Sequence, residues 1–257
     1  MLKLNNINKY YNTGTVNEIC LFEDFNLSIE EGEFVSVVGS NGSGKTSMLN
    51  IICGSIPVDS GTIYIGKENI THMPEFRRLR RIGRVYQNPA MGTCPHMTIL
   101  ENMALADNKG KPFNLRRGTD KKRVDSYRES LKTLGLGLED KLHVKVGVLS
   151  GGQRQAMALL MSAMTPIEFL ILDEHTAALD PKTAEVIMEL TDQIVKSKHL
   201  TTIMVTHNLR YAVDYGSRLL MMHQGQAVMD KAGREKTAVK IEDLLERFNA
   251  ISVECGN

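Results

Sequence analysis

Glycines, a lysine and hydroxyls stand together in "GSNGSGKTS", Gly39 to Ser47, which fits G-x-x-x-x-G-K-[ST]. Glycines at that spacing let the backbone wrap so that successive N–H groups point inward, a concavity suited to anions. A helix starting there adds positive potential from its N-terminus. Gly39, Ser40, Asn41, Gly42, Ser43, Gly44 and Ser47 would form the cradle. Lys45 has the reach for terminal phosphates, and the Thr46 hydroxyl is of the type that ligates Mg²⁺. The plainer reading is a glycine turn with a surface lysine, which the flanking strand and helix disfavour. The expected ligand is therefore a nucleoside triphosphate with magnesium.

A second stretch, "FLILDEHTAALD" from Phe169 to Asp180, runs a buried apolar strand into Asp173 and Glu174, with Asp180 beyond. Such acids need a cation or a proton to move. Alone, strand-end acids are as readily helix caps. Ligands of parallel sheets gather at the carboxyl ends of the strands. If the strands ending in Gly39 and Asp173 are neighbours, Asp173 faces the magnesium at Thr46 and Glu174 lies nearer the attacking water. A third stretch, "LSGGQ" at Leu149 to Gln153, opens a helix that is apolar nearly all round and should be buried. Ser150 could cap it, and its N-terminus would suit another anion.

These groups need a scaffold. "EFVSVVG", "EFLILD" and "LTTIMVTH" are short, apolar and end at glycine or a polar residue, so each reads as a buried strand. "TSMLNIICG" has helical spacing with Gly54 as a stop, and "PKTAEVIMELTDQIVKSK" reads as a helix with Pro181 in its first turn. Alternation of strand and helix predicts a parallel sheet covered on both faces. "RLLMMHQGQAVMDKAG" reads as a hairpin turning near Gln224 and Gly225. Between about Pro89 and Thr165 the pattern is helical without a strand, and "NKGKPFNLRRGTDKKR" is a polar connection.

The 257 residues carry a formal charge of +1, so no global field points to nucleic acid or an anionic surface. Cys20, Cys53, Cys94 and Cys255 lie far apart, without the spacing of a zinc site or disulfide framework. No apolar run reaches the roughly 18 residues of a membrane span, and the N-terminus lacks a secretory signal. The arginines at 77, 78, 80 and 81, with Lys121 to Arg123, read as solvated faces, or less plainly as contacts to anionic lipid heads. Met157, Met161 and Met164 have helical spacing and read as core.

Together, "GSNGSGKTS", "LSGGQ" and "LILDE" in this order and spacing make the chain resemble the ATP-binding subunits of ABC transporters over nearly its whole length. The resemblance implies an α/β P-loop NTPase core with an inserted helical subdomain and an N-terminal antiparallel β region. It divides the chain into core at 1–88, helical subdomain at 89–165 and core again at 166–257. Residue roles follow by likeness. Tyr11 in "NKYYNTGT" matches the aromatic that stacks on adenine, Tyr10 being the lesser candidate. Gln87 in "RVYQNP" matches the glutamine that touches magnesium and water and senses the membrane partner. His207 in "IMVTHNL" matches the γ-phosphate histidine, and Asp180 the acid at the dimer contact. Taken alone, Tyr11 reads equally as surface packing, Gln87 as a loop residue and His207 as a helix cap.

By the same likeness, Thr46, Gln87 and Asp173 bind Mg²⁺, while Glu174, His207, Gln87 and Lys45 act on ATP. Ser150, Gly151, Gly152 and Gln153 meet ATP held by a second subunit. The partners implied are that second ATPase chain, a copy of this one, transmembrane permease subunits, and an extracytoplasmic substrate-binding protein. Nucleic acid is not implied. The location implied is peripheral, on the cytoplasmic face of the bacterial cell membrane. His175 replaces the usual proline, Ala177 a serine and Ala156 an arginine. "DEHTAALD" and the signature helix are similar to a narrower group, the ATPases of tryptophan or tyrosine uptake systems. His175 reads as a turn residue in preference to a second-sphere ligand. Efflux or extraction of lipid-linked cargo is the alternative. A role on DNA or ribosomes is disfavoured by the single P-loop and the lack of a heptad tract.

Overall fold

The computed structural model describes residues 1–112 and 118–254, the last four by backbone alone. Residues 113–117 of the polar connection, and Cys255, lie outside the described residues. In chain order the main elements are β1 (Leu2–Tyr11), β2 (Ile19–Ile29), β3 (Phe34–Gly39), α1 (Lys45–Cys53), β4 (Ser60–Ile65), β5 (Glu68–Asn69), α2 (Glu75–Arg78) and β6 (Ile82–Val85). Next come α3 (Ile99–Asp107), α4 (Val124–Lys132), α5 (Gly151–Ser162), β7 (Phe169–Asp173) and α6 (Pro181–Lys198). The last are β8 (Thr201–Val205), α7 (Leu209–Asp214), β9 (Arg218–His223), β10 (Gln226–Ala232), α8 (Gly233–Ala238) and α9 (Ile241–Glu254).

The chain divides into two compact units, one of Met1–Leu79 with the chain from Leu200 onward, the other Arg80–His199. In the first unit β2, β1, β4 and β5 form an antiparallel sheet in that order. Leu2, Leu4 and Ile7 of β1 are buried, and the register slips between Leu4 and Ile7, where Asn6 has a φ of 49°. That bulge shifts the phase of the alternation. The second sheet of this unit is centred on β3, whose six residues are all buried. β3 pairs in parallel with β8 on one edge and β9 on the other, and β10 closes the hairpin antiparallel to β9. The hairpin turns at Gln224 and Gly225, both at positive φ. With both its edges filled, β3 has no room for β7 as a neighbour. The condition that the strands ending in Gly39 and Asp173 be neighbours is thus not met, because strand order is set by crossovers that no local pattern encodes. Val38, Leu219 and Met221 pack with Ala212 of α7 and Leu244 of α9 into a closed core.

In the second unit β6 and β7 pair in parallel, Ile82 opposite Phe169 and Val85 opposite Leu172. All five residues of β7 are buried. Among the described residues between Pro89 and Thr165 no strand forms beyond an isolated bridge from Thr98 to Lys145. α3 opens with a capping box of Thr98 and Glu101, a device worth about 1 kcal/mol. α5 is buried over Gly152 and Gln155–Leu160; of the three methionines, Met157 is core while Met161 and Met164 are half-buried.

In the arginine cluster Arg77 and Arg80 are exposed, as a solvated face would be, and so are Lys121 to Arg123, but Arg78 departs from that expectation. Arg78 is buried, and its guanidinium donates to the carbonyls of Ile51 and Ile52 at the end of α1, to Thr71 O and to Met73 O. Five donors in a fixed fork suit a cluster of carbonyls left open at a helix C-terminus. Arg81 pairs with Glu168. Among the described residues, no helix is long and apolar enough to cross a membrane.

Candidate nucleotide-binding site

In the first unit the loop Gly39–Gly44 joins the tip of β3 to α1. Gly42 and Gly44 have φ values of 78° and 98°, a region that glycine enters freely. A Cβ on Gly39 would lie 2.3 Å from Met222 O, so backbone closes on backbone there. Gly44 is the N-cap of α1 and no side chain caps the helix. The first N–H groups of α1 therefore have no side-chain acceptor at the cap, as an oxyanion site requires. Lys45 is buried and donates through Nζ to the carbonyls of Gly39 and Ser40, both at 2.8 Å, and to Ser43 Oγ at 3.4 Å. Asn41, Gly42 and Thr46 are exposed, and Ser47 is half-buried.

Two further groups of this unit frame the loop. Gly225 N donates to Ser43 O at 3.1 Å, and His223 Nδ1 stands 3.5 Å from Ser40 Oγ, so the β9–β10 turn forms the loop's outer wall. His207, just past β8, is exposed and shares a cavity of about 320 Å³ with Gly39, Ser40, Asn41 and Phe248. Elsewhere in this unit Tyr11 ends β1 and is 37% exposed, and Lys9 Nζ lies over its ring, 5.5 Å from the centroid. Tyr10 faces Cys20 across the β1–β2 ladder.

The second unit carries the acids and the signature helix. Asp173 is the last residue of β7, and its Oδ2 accepts from Arg84 Nη2 at 2.8 Å. The two side chains are 8% and 12% exposed, and stripping one partner from so buried a pair costs about 3–5 kcal/mol. Glu174 follows at a φ of 48°, a left-handed conformation that costs a residue with a Cβ roughly 1–2 kcal/mol. Next to it, His175 is buried, with Nε2 3.1 Å from Thr191 Oγ1. Thr191 spends its only hydroxyl proton on Ile187 O at 2.7 Å, so it accepts from His175, whose proton must sit on Nε2. Burial pushes the imidazole pKa down to about 4. His175 is thus a turn residue, as expected, since Ala177 N closes the turn on Glu174 O at 2.9 Å, and its buried ring also anchors that turn to α6. Its partner sixteen positions along the chain has no local signature.

Ser150 is the N-cap of α5: its Oγ accepts from Gln153 N, and Gln153 Oε1 accepts from Ser150 N, both at 3.2 Å. Gly151 is exposed. Gly152 is buried, and a Cβ on it would fall 2.3 Å from Thr183 Cγ2 of α6. Asp180 caps α6 by accepting from Thr183 N at 3.1 Å, and that hydrogen bonding holds its carboxyl below the usual range. Gln87 is exposed just beyond β6. Two residues without a sequence signature stand beside these: Arg84, and Gln155, which holds the backbone ahead of Gln87. Only their tertiary partners distinguish them from ordinary polar residues.

Among the described residues no group of three or more His, Cys, Asp or Glu could hold a metal ion unaided. Thr46 in the first unit and Asp173 in the second each offer a hard oxygen, the donor type magnesium takes, and Mg²⁺ characteristically binds through one or two protein oxygens together with substrate phosphates.

Residues 22–177 match the family model described as ABC transporter. The chain is 46% identical to the tyrosine transport ATP-binding protein of Clostridioides difficile over 96% of its own length and 98% of that relative. It is 31% identical to the probable ABC transporter ATP-binding protein PEB1C of Campylobacter jejuni over 91% of this chain and 92% of that one. The dimeric post-hydrolysis structure of the ATP-binding cassette MJ0796, bound to ADP and Pi, superposes with a TM-score of 0.76 at 32% identity, covering 91% of this chain and 99% of that one. The chain belongs to the ABC transporter family. It is an ATP-binding subunit with the cassette fold of that family, and its activity is ATP hydrolysis.

Proposed function

We propose that this chain powers import of an aromatic amino acid across the bacterial cytoplasmic membrane, working peripherally on its inner face with a separate permease and an extracytoplasmic substrate-binding protein. The carrying observation is the 46% identity, end to end, with a relative named for tyrosine transport. In this reading 1–88 and 166–257 form the ATPase core and 89–165 the helical subdomain, as the helical character of the described part of 89–165 supports. Two such chains act together, with Ser150, Gly151, Gly152 and Gln153 of one meeting ATP held by the other; the dimeric state of the MJ0796 cassette supports this.

Each residue then has a chemical task. The Tyr11 ring receives adenine. The Gly39–Ser47 backbone and Lys45 hold the phosphates. Thr46, Gln87 and Asp173 supply oxygens to magnesium, which when bound neutralises charge developing between the β- and γ-phosphates. Glu174 accepts the proton of the attacking water, a task that requires hydrogen-bond reach. His207 donates to the γ-phosphate, and placed charge of this kind supplies most of the acceleration in phosphoryl transfer. Asp180 orders the start of α6 at the contact between chains.

The test is co-purification with the permease, reconstitution in lipid, and ATPase measurement with binding protein loaded with different solutes. Tyrosine or tryptophan should raise turnover. Stimulation by another solute class, with none from aromatic amino acids, would remove this assignment.

A further inference from the structure

Arg84 and Asp173 form an ion pair buried on both sides, and one of them is the acid read above as a magnesium ligand. The strands explain the contact. Arg84 lies opposite Ile171 in the parallel ladder, and Asp173 is two residues further along β7, on the same face by the period of two. Tyr86 lies just past the end of β6, and the guanidinium stands 4.6 Å from its ring centroid. The cation is thus held on one side by an aromatic face and on the other by Asp173 Oδ2, at 2.8 Å.

We propose that Arg84 is a placeholder cation that keeps Asp173 closed to free divalent metal and leaves it open to metal arriving on a nucleotide. This rests on the reading of Asp173 as a metal ligand. A guanidinium does not shed its proton, so its charge at Asp173 is permanent. A free divalent ion approaching Asp173 meets a carboxylate already neutralised and must displace the arginine or sit beside a like charge. An ion carried by a triphosphate brings its own anionic ligands and needs only one carboxylate oxygen, and Oδ2 is the one Arg84 takes. Arg84 is accordingly a positioning residue. The plainer possibility is an ion pair that only joins β6 to β7, and replacing Arg84 would then change stability without changing metal affinity.

Binding of Mn²⁺ to the nucleotide-free full chain, followed by the electron paramagnetic resonance signal of the free ion, separates the two. Arg84→Gln and Arg84→Met, the latter keeping an apolar stem on Tyr86, are compared with the unaltered chain after circular dichroism shows them folded. Each should bind Mn²⁺ about tenfold more tightly, a modest part of what one adjacent charge contributes at short range. The gain should vanish in Arg84→Gln/Asp173→Asn and be absent in Arg84→Lys, which keeps the charge. If either folded variant binds Mn²⁺ no more tightly than the unaltered chain, the placeholder role is overturned. Asp173→Asn alone tests the underlying reading. If magnesium-dependent binding of a fluorescent ATP analogue survives in it, Asp173 is no metal ligand. Loss of that dependence with unchanged Mn²⁺ affinity in the Arg84 variants overturns only the placeholder.

Discussion

Gln155 Nε2 donates to the backbone oxygen of Tyr86 at 3.1 Å, tying the signature helix to the residue before Gln87. Gln155 is fully buried, so the bond is shielded from water. Removing the donor leaves a poorly solvated carbonyl and a freer Gln87 segment, at a cost of about 1–3 kcal/mol. Gln155→Leu should therefore lower kcat roughly tenfold while the KM for ATP changes little. Steady-state ATPase kinetics beside thermal unfolding would show it. A raised KM with unchanged kcat would place the effect on nucleotide binding instead.

The phosphate loop makes a sharper prediction. Lys45 Nζ holds three oxygens of its own loop, and any bound triphosphate would draw on the same ammonium group. Lys45→Ala should weaken ATP binding by at least about tenfold. Gly39→Ala should do so with loss of stability as well, since its Cβ would strike Met222 O. Isothermal titration with ATP and a melting curve distinguish the two variants.

The two signature glycines should behave differently. A Cβ on Gly151 meets Leu179 Cδ2 at 3.5 Å, an ordinary contact, whereas one on Gly152 meets Thr183 Cγ2 at 2.3 Å. Gly152→Ala should cost about 1–3 kcal/mol by overpacking α5 against α6. Thr183→Ser, which deletes that methyl, should restore most of the loss. Urea unfolding of both single variants and the double variant measures the coupling.

His175 gives a pH signature. Its folded pKa of about 4 lies below the ordinary value of 6.5. Between those limits the unfolded chain takes a proton that the native state refuses. Stability therefore falls as pH drops from about 6.5 to 4, and this group contributes no slope above that window. Going from pH 7 to 5 should cost about 2 kcal/mol through this residue. His175→Asn should flatten the slope, as urea midpoints at the two pH values would reveal.

What was legible in the sequence follows from where each constraint resides. The phosphate loop is local: glycines at fixed spacing between a buried strand and a helix leave one backbone path. Gly54 and Pro181 mark helix ends by the same kind of local chemistry, and Gln224 with Gly225 marks the late hairpin. The partners of Arg84, Gln155 and Arg78 are set by tertiary packing, so each looked like an ordinary polar residue. Whether β3 and β7 are neighbours is hidden for the same reason, since residues between strands fix their spacing but not their order. The strand at Leu2–Tyr11 is hidden in its residues because the bulge near Asn6 breaks its alternation.

The central claim is that ATP is gripped by one chain's lysine loop, covered by the other chain's Ser150 helix, and cut with the help of Glu174. The most direct measurement is light scattering during gel filtration of Glu174→Gln, with and without ATP and magnesium. The account predicts the mass of two chains with trapped, uncleaved ATP, and the mass of one chain when Ser150→Arg is added. A single-chain mass at saturating ATP, or ordinary hydrolysis by Glu174→Gln, would contradict it.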